Sequence, residues 1–358
     1  MPKGKADLRD ILKLAVKKEA SDIHLKSGIS PVFRIHREIF TENSFAPLTS
    51  DQIREFLNQI TIEEQRRLFA QNWELDFAYS LDGIGRFRVN AYFQMGTVAL
   101  AFRHISPRIP GFKQLGLPDI CRKLSLLEAG LIILTGPTGC GKSTTLAAMI
   151  NYMNQNIRRS IITIEDPIEY LYEDKKCIIS QREVGVDTDS FASALKHVLR
   201  QDPDVILIGE MRDLETMAVA LTAAETGHLI LTTLHTPSTY GAIDRLIDSF
   251  PSHQHRQIRI QLASVLQAVL YQVLVPRIDE EGVVPAVEVL VASPAIKNLI
   301  RENRTYEIPS YLHSGKELGM QTLDQSLIDL FQSGKISSRE ALAHLRGYNN
   351  IEASAILT

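Results

Sequence analysis

Cysteine is scarce: Cys121, Cys140 and Cys177 are the only thiols in 358 residues, and no two form a CxxC pair. This excludes a zinc ribbon and a disulfide framework and points to a reducing compartment. Long apolar runs are missing too. The longest, such as Leu131 to Leu134 and Val205 to Ile208, fall far short of the ~20 residues that a membrane-spanning helix needs. Lys and Asp interrupt the apolar pattern of the amino terminus, so it lacks the core of a secretory signal and reads as an amphipathic helix. There is no excess of positive charge: 39 Lys plus Arg against 42 Asp plus Glu leave a net charge of −3, with no long block of one sign. A protein that binds nucleic acid by neutralising phosphates usually carries a basic excess. Membrane insertion is therefore excluded, leaving only peripheral association, and nucleic acid is disfavoured as a partner.

What is present suits a folded chain. With 44% hydrophobic and 23% charged residues, there is apolar material for a sizeable core, and the length fits two domains of about 100–200 residues each. Leu8, Ile11, Leu12, Leu14 and Ala15 recur at helical spacing, after which Ser21-Asp22-Ile23-His24-Leu25 switches to the alternation of a half-buried strand. Trp73, Leu75, Phe77 and Tyr79 alternate with polar residues, and a glycine-containing turn, Leu81 to Gly85, leads into Arg86 to Phe93, which is a hairpin signature. Period-two geometry puts Phe87, Val89, Ala91 and Phe93 on one face and Arg86, Arg88 and Asn90 on the other. A third strand, Val98 to Ile105, carries Arg103. The prolines and glycine of Ser106 to Gly111 then mark a linker, giving an amino-terminal domain over 1–105, a linker over 106–112 and a second domain over 113–358. In the second domain short runs rich in Leu, Ile and Val (Leu131 to Thr135, Ser160 to Ile164, Val205 to Ile208, Leu229 to Thr233) alternate with helical patterns. This predicts an α/β domain with a parallel sheet.

Gly136-Pro137-Thr138-Gly139-Cys140-Gly141-Lys142-Ser143 matches GxxxxGK[ST] between a strand and a helix that carries Leu146, Ala147, Met149, Ile150 and Met153. Glycines let consecutive N–H groups, through Thr144, point at phosphate oxygens at the positive end of a helix. Lys142 is placed to neutralise β/γ phosphates, and the Ser143 hydroxyl to take one position on Mg²⁺. Cys140 contributes its backbone N–H.

Two acidic segments follow predicted strands. Glu165, in Glu165-Asp166-Pro167-Ile168-Glu169, stands at a strand's carboxyl end, where it either orients a water toward a γ-phosphate or is a solvated turn acid. Glu210 ends the run Val205 to Ile208 in the Walker B manner. It holds Mg²⁺ through water or polarises the nucleophile, or else it is a helix N-terminal acid. Gly209 stands where an Asp commonly precedes that Glu. His228 and His235 bracket another strand, and each either senses the γ-phosphate or a neighbouring acid, or is structural.

Together the phosphate loop, Ile164 to Glu169, Gly209 to Thr216, and Thr226-Gly227-His228 with Thr233-Leu234-His235-Thr236 resemble the secretion-superfamily ATPases, in particular the PilT-like retraction motors of type IV pili. The likeness runs from Ala20-Ser21-Asp22-Ile23-His24-Leu25 through Arg86 to Asn90 and on to Gly319 to Asp324. It implies a PAS-like amino-terminal domain, a RecA-like ATPase domain with carboxy-terminal helices, and a homo-hexameric ring that binds ATP and Mg²⁺. Glu165 and Glu210 then support hydrolysis, and Arg88 and Arg103 reach nucleotide phosphates. Ala295 to Glu302 resembles a motif associated with retraction, with Lys297 where the family has Arg. Here Ser293 suits an N-cap, Pro294 a first helical residue, and Ile296, Leu299 and Ile300 one apolar face. The absence of a tetracysteine site and of a long amino-terminal extension separates the chain from the extension and type II secretion branches. The implied setting is the cytoplasmic face of the inner membrane, with a membrane platform protein of the pilus machine and a paralogous motor as partners. Two other classes are a ring subunit that binds nucleotide with little turnover, and a RecA-like DNA-processing enzyme, which the net charge disfavours.

Overall fold

The computed structural model describes residues 7–35, 38–105, 108–279 and 282–346. It divides into two compact units, Met1–Arg108 with Pro167–Leu171, and Ile109–Asp166 with Tyr172–Thr358. The segment Pro167–Leu171, which the sequence assigns to the second domain, groups with the first unit. Of the linker expected over 106–112, residues 106–107 lie outside the described residues.

The first unit runs α1 (Leu8–Lys17), β1 (Asp22–Leu25), β2 (Val32–Ile35), β3 (Glu38–Thr41), α2 (Ser50–Ile60), α3 (Glu63–Asn72), β4 (Glu74–Leu81), β5 (Gly85–Gln94) and β6 (Thr97–Ile105). Its six strands form an antiparallel sheet in the order β3-β2-β1-β6-β5-β4. Helices α1 and α2 bury Leu8, Ile11, Leu12, Ala15, Ile53, Phe56 and Leu57 in one core with Phe87, Val89, Ala91, Leu100 and Phe102. Two residues depart from the predicted alternation. Trp73 is not in a strand: it caps α3 in the left-handed region at φ 64°, and its side chain is exposed. Phe93 is 39% exposed, and its ring stacks on Phe69 of α3 at 5.1 Å.

The second unit continues with α4 (Phe112–Leu115), α5 (Ile120–Ser125), β7 (Gly130–Thr135), α6 (Lys142–Asn156), β8 (Ser160–Glu165), β9 (Ile178–Glu183), α7 (Phe191–Val198), β10 (Val205–Ile208), α8 (Leu214–Glu225), β11 (Leu229–Thr233), α9 (Thr239–Asp248), α10 (His255–Val265), β12 (Leu266–Pro276), β13 (Val283–Val291), α11 (Pro294–Arg301), α12 (Ile308–Ser314), α13 (Leu323–Gln332) and α14 (Ser338–His344). The sheet order is β13-β12-β7-β11-β10-β8-β9, parallel from β12 to β9, with β13 antiparallel at one edge. This is the α/β architecture that the alternating runs predict. All residues of β7, β10 and β11 are buried, as in a sheet covered on both faces. α11 follows its predicted pattern: Ser293 accepts from the Ile296 N–H, Pro294 opens the helix, and Ile296, Leu299 and Ile300 are buried. Lys297 donates to the Ser264 carbonyl at 3.2 Å. Among the described residues, no helix is long and apolar enough to cross a membrane.

Candidate active site

In a parallel sheet every strand delivers its carboxyl end to the same edge. Moving across the sheet from β7, the neighbours β11, β10 and β8 bring His235, Glu210 and Glu165 to that edge in turn, at about 4.8 Å per strand. The phosphate loop leaves β7 at the same edge and enters α6 at Lys142.

The loop is built on backbone that only glycine adopts easily. Gly136, Gly139 and Gly141 have φ of 143°, 77° and 85°. At Gly136 a Cβ would also lie 2.3 Å from the carbonyl oxygen of Gln272. Lys142 is only 8% exposed, and its Nζ donates to the carbonyls of Gly136 and Pro137, both at 3.0 Å. The ammonium is thus held inside the loop it serves. Burial pushes the Cys140 thiol up from its ordinary value, against a weaker opposite pull from Lys142. Cys140 is therefore a packed, neutral side chain whose backbone is the part in play.

Glu165 accepts the Thr163 hydroxyl at 2.7 Å and the Gln181 amide at 3.3 Å on one oxygen. Glu210 is 14% exposed in its side chain; it pairs with the Arg212 guanidinium, and its other oxygen lies 3.5 Å from His235 Nε2. Gly209 is explained by space. Its N–H donates to Ile164 at 2.8 Å, and a Cβ would sit 3.3 Å from that carbonyl oxygen and 3.5 Å from the Glu165 Cα. An Asp here would press on β8. The loop after β11 is tied back to β7, because the Thr236 N–H donates to Thr135 Oγ1 at 2.8 Å and Leu234 N–H to Leu134 O at 2.9 Å.

The structure separates the two histidines. His228 precedes β11 and lies at the amino end of the sheet, away from the phosphate loop by the length of a five-residue strand, about 17 Å. Its Nδ1 donates to the Ala223 carbonyl at 2.9 Å and closes the end of α8. The expectation that His228 senses a γ-phosphate is therefore not met in its own unit, since the parallel strand between the histidines carries them to opposite edges. His228→Ala is expected to leave the affinity for ATP unchanged while lowering stability by about 1 kcal/mol, read by nucleotide titration and thermal melting. A large loss of affinity would return His228 to the site.

In the first unit Arg88 and Arg103 are direct cross-strand partners on β5 and β6, and Asp22 on β1 faces Arg103 from the other side. Arg103 Nε donates to Asp22 Oδ1 at 3.0 Å, yet its side chain stays 70% exposed. Sequence reasoning missed Gln272 on β12, which donates to the Cys140 carbonyl at 2.5 Å and accepts the Thr145 hydroxyl at 2.9 Å. The available signal was a glutamine inside the apolar run of β12.

Comparison with known proteins gives the fold and the family. The type IV pilus retraction ATPase PilT of Pseudomonas aeruginosa is 44% identical over 335 residues, 94% of this chain and 97% of its own. The type IV pilus ATPase PilU of the same organism is 44% identical over 345 residues, 96% of this chain and 90% of its own. The crystal structure of the pilus retraction motor PilT with bound ADP superposes with a TM-score of 0.90 at 44% identity, covering 97% of this chain and 99% of that one. The family model described as type II/IV secretion system protein matches residues 5–307, and the chain belongs to that family.

Proposed function

We propose that this chain is an ATP-hydrolysing motor that drives retraction of type IV pili. The observation that carries the reading is the gathering of a lysine-filled phosphate loop, Glu210 and Glu165 on one edge of a parallel sheet, in a chain 44% identical over nearly its whole length to a pilus retraction ATPase. The loop fits a nucleotide's phosphates, because its glycine backbone leaves N–H groups uncovered by side chains and encloses one ammonium. The protein donors fit magnesium carried in by the nucleotide: among the described residues no cluster of three or more His, Cys, Asp or Glu could hold a metal by itself, and Mg²⁺ bound with phosphates keeps most of its shell as water and phosphate oxygen. Ser143 and, through water, Glu210 would hold such an ion, which when bound would supply positive charge against the phosphates.

Lys142 and the loop N–H groups bind and orient the β/γ phosphates. Glu165, three strands from the loop, accepts the proton of the attacking water, and His235 reports to Glu210 whether the γ-phosphate is present. Arg88 and Arg103 supply further positive charge to a nucleotide in the same or a neighbouring subunit, a contribution worth about 10³–10⁵ in rate in nucleotide hydrolases. The subunits act as a hexameric ring at the cytoplasmic face of the inner membrane, moving a platform protein, with a paralogous motor alongside. A ring subunit with little turnover of its own is the poorer reading, because the chain carries Lys142, Ser143, Glu165 and Glu210.

The test is live imaging of labelled pili in a deletion strain carrying either the native chain or Glu210→Ala. Long, static pili that shorten only with the native chain are expected. Loss of pili on deletion would make the chain an assembly motor instead.

A further inference from the structure

We propose that Gln272 is a positioning residue of the phosphate loop: it holds the Cys140 carbonyl so that the next N–H, that of Gly141, is presented to a phosphate. The proposal rests on the ATPase reading and concerns the same site. Gln272 lies in the middle of β12 and is 3% exposed, in a strand whose other side chains are almost all apolar. An apolar side chain would fill the position without the cost of desolvating an amide, so the amide has a task.

Its orientation is dictated by chemistry. The Cys140 carbonyl can only accept, so the NH₂ side of the amide faces it, at 2.5 Å, and Oε1 is left to take the Thr145 hydroxyl proton at 2.9 Å. Thr145, in the first turn of α6, therefore keeps the amide from rotating. A trans peptide sends its C=O and the following N–H in opposite directions. With the Cys140 carbonyl drawn onto β12, the Gly141 N–H points away from β12 and becomes one of the donors at the positive end of α6.

Packing reinforces this assignment. A Cβ on Gly141 would lie 3.0 Å from Gln272 Nε2, and one on Gly136 would lie 2.3 Å from the Gln272 carbonyl oxygen. Strand β12 therefore touches the loop at its first and last glycines, and the loop's shape answers to residue 272 at three points.

Gln272→Met keeps length and volume but removes both hydrogen bonds. The full-length protein is expected to bind MgATP about tenfold more weakly, with the KM rising in parallel and kcat at saturation falling less than about threefold. Thr145→Val frees the amide to rotate and should give a smaller loss, about two- to fivefold. The double variant should be no weaker than Gln272→Met, because both changes break one path. A role confined to core packing would instead lower the melting temperature and leave the Kd for MgATP unchanged, which would overturn the proposal. If Gln272→Met does not fold, Thr145→Val alone decides, and an unchanged Kd there overturns it as well. Lys142→Ala run alongside separates two failures. If it abolishes binding while the Gln272 and Thr145 variants do not weaken it, only the role of Gln272 is wrong; if none of them changes binding, the phosphate-loop reading falls with it.

Discussion

Lys142→Ala is expected to reduce ATP turnover at least 10²–10³-fold and to weaken nucleotide binding, while the melting temperature stays within a few degrees of the native value. The size follows from the side chain's position. Its ammonium sits inside the loop, bound to two backbone carbonyls at 3.0 Å, so it is pre-aimed and needs little reorganisation to meet phosphate oxygens. A preorganised donor at a developing charge is worth about 2.7–4 kcal/mol in comparable sites. Stability changes little because the core of this unit is made by the sheet and its flanking helices (Leu131, Ile133, Ile206, Leu221 and Leu246 among others) and not by the loop. Calorimetric titration with MgATP and a steady-state phosphate-release assay check both halves. An unchanged Kd would mean that phosphates bind elsewhere.

The parts of this site that were legible in the sequence are those set by local spacing. Val205 to Ile208 and Leu229 to Thr233 are strands with those same bounds, because short runs of β-branched and leucine side chains buried on both faces carry little ambiguity. The phosphate loop could be read because glycine spacing, an entering strand and a leaving helix all describe the same turn. His228 shows what spacing alone leaves open, the end of the strand on which a side chain falls. If strand ends at the carboxyl side form the site, the histidine before β11 belongs to the other edge and only the one after it qualifies. Trp73 was misplaced because alternation continues past the strand's true start, where the left-handed end of α3 overrides it.

Gln272 was hidden for a different reason. It meets Cys140 across 132 residues of sequence, and only the order of strands, with β12 beside β7, brings them together. Arg212 beside Glu210 is intermediate: it is two residues away in sequence, but only the backbone bend after β10 turns the guanidinium onto the carboxylate. These contacts decide how the two glutamates differ, which their sequence motifs do not.

Glu165→Gln is expected to lower turnover about 10²–10⁴-fold while MgATP still binds with near-native affinity, whereas Glu210→Gln should weaken the dependence on magnesium as well as the rate. The carboxylates are bound differently. Glu210 pairs with the Arg212 guanidinium through one oxygen and lies 3.5 Å from the His235 imidazole through the other, so both oxygens already face a partner. Glu165 accepts from a threonine hydroxyl and a glutamine amide on the same oxygen, Oε1, which fixes the direction of its carboxylate. Position agrees with chemistry. Glu210 is two strands from the phosphate loop and Glu165 three, so the nearer acid is suited to the ion carried by Ser143 and the farther one to a water beyond the γ-phosphate. Single-turnover hydrolysis and nucleotide titration for the two variants, each over a magnesium series, separate the roles. If Glu210→Gln alone stops hydrolysis with binding intact, the assignment is reversed and the Arg212 pair must open before each turnover.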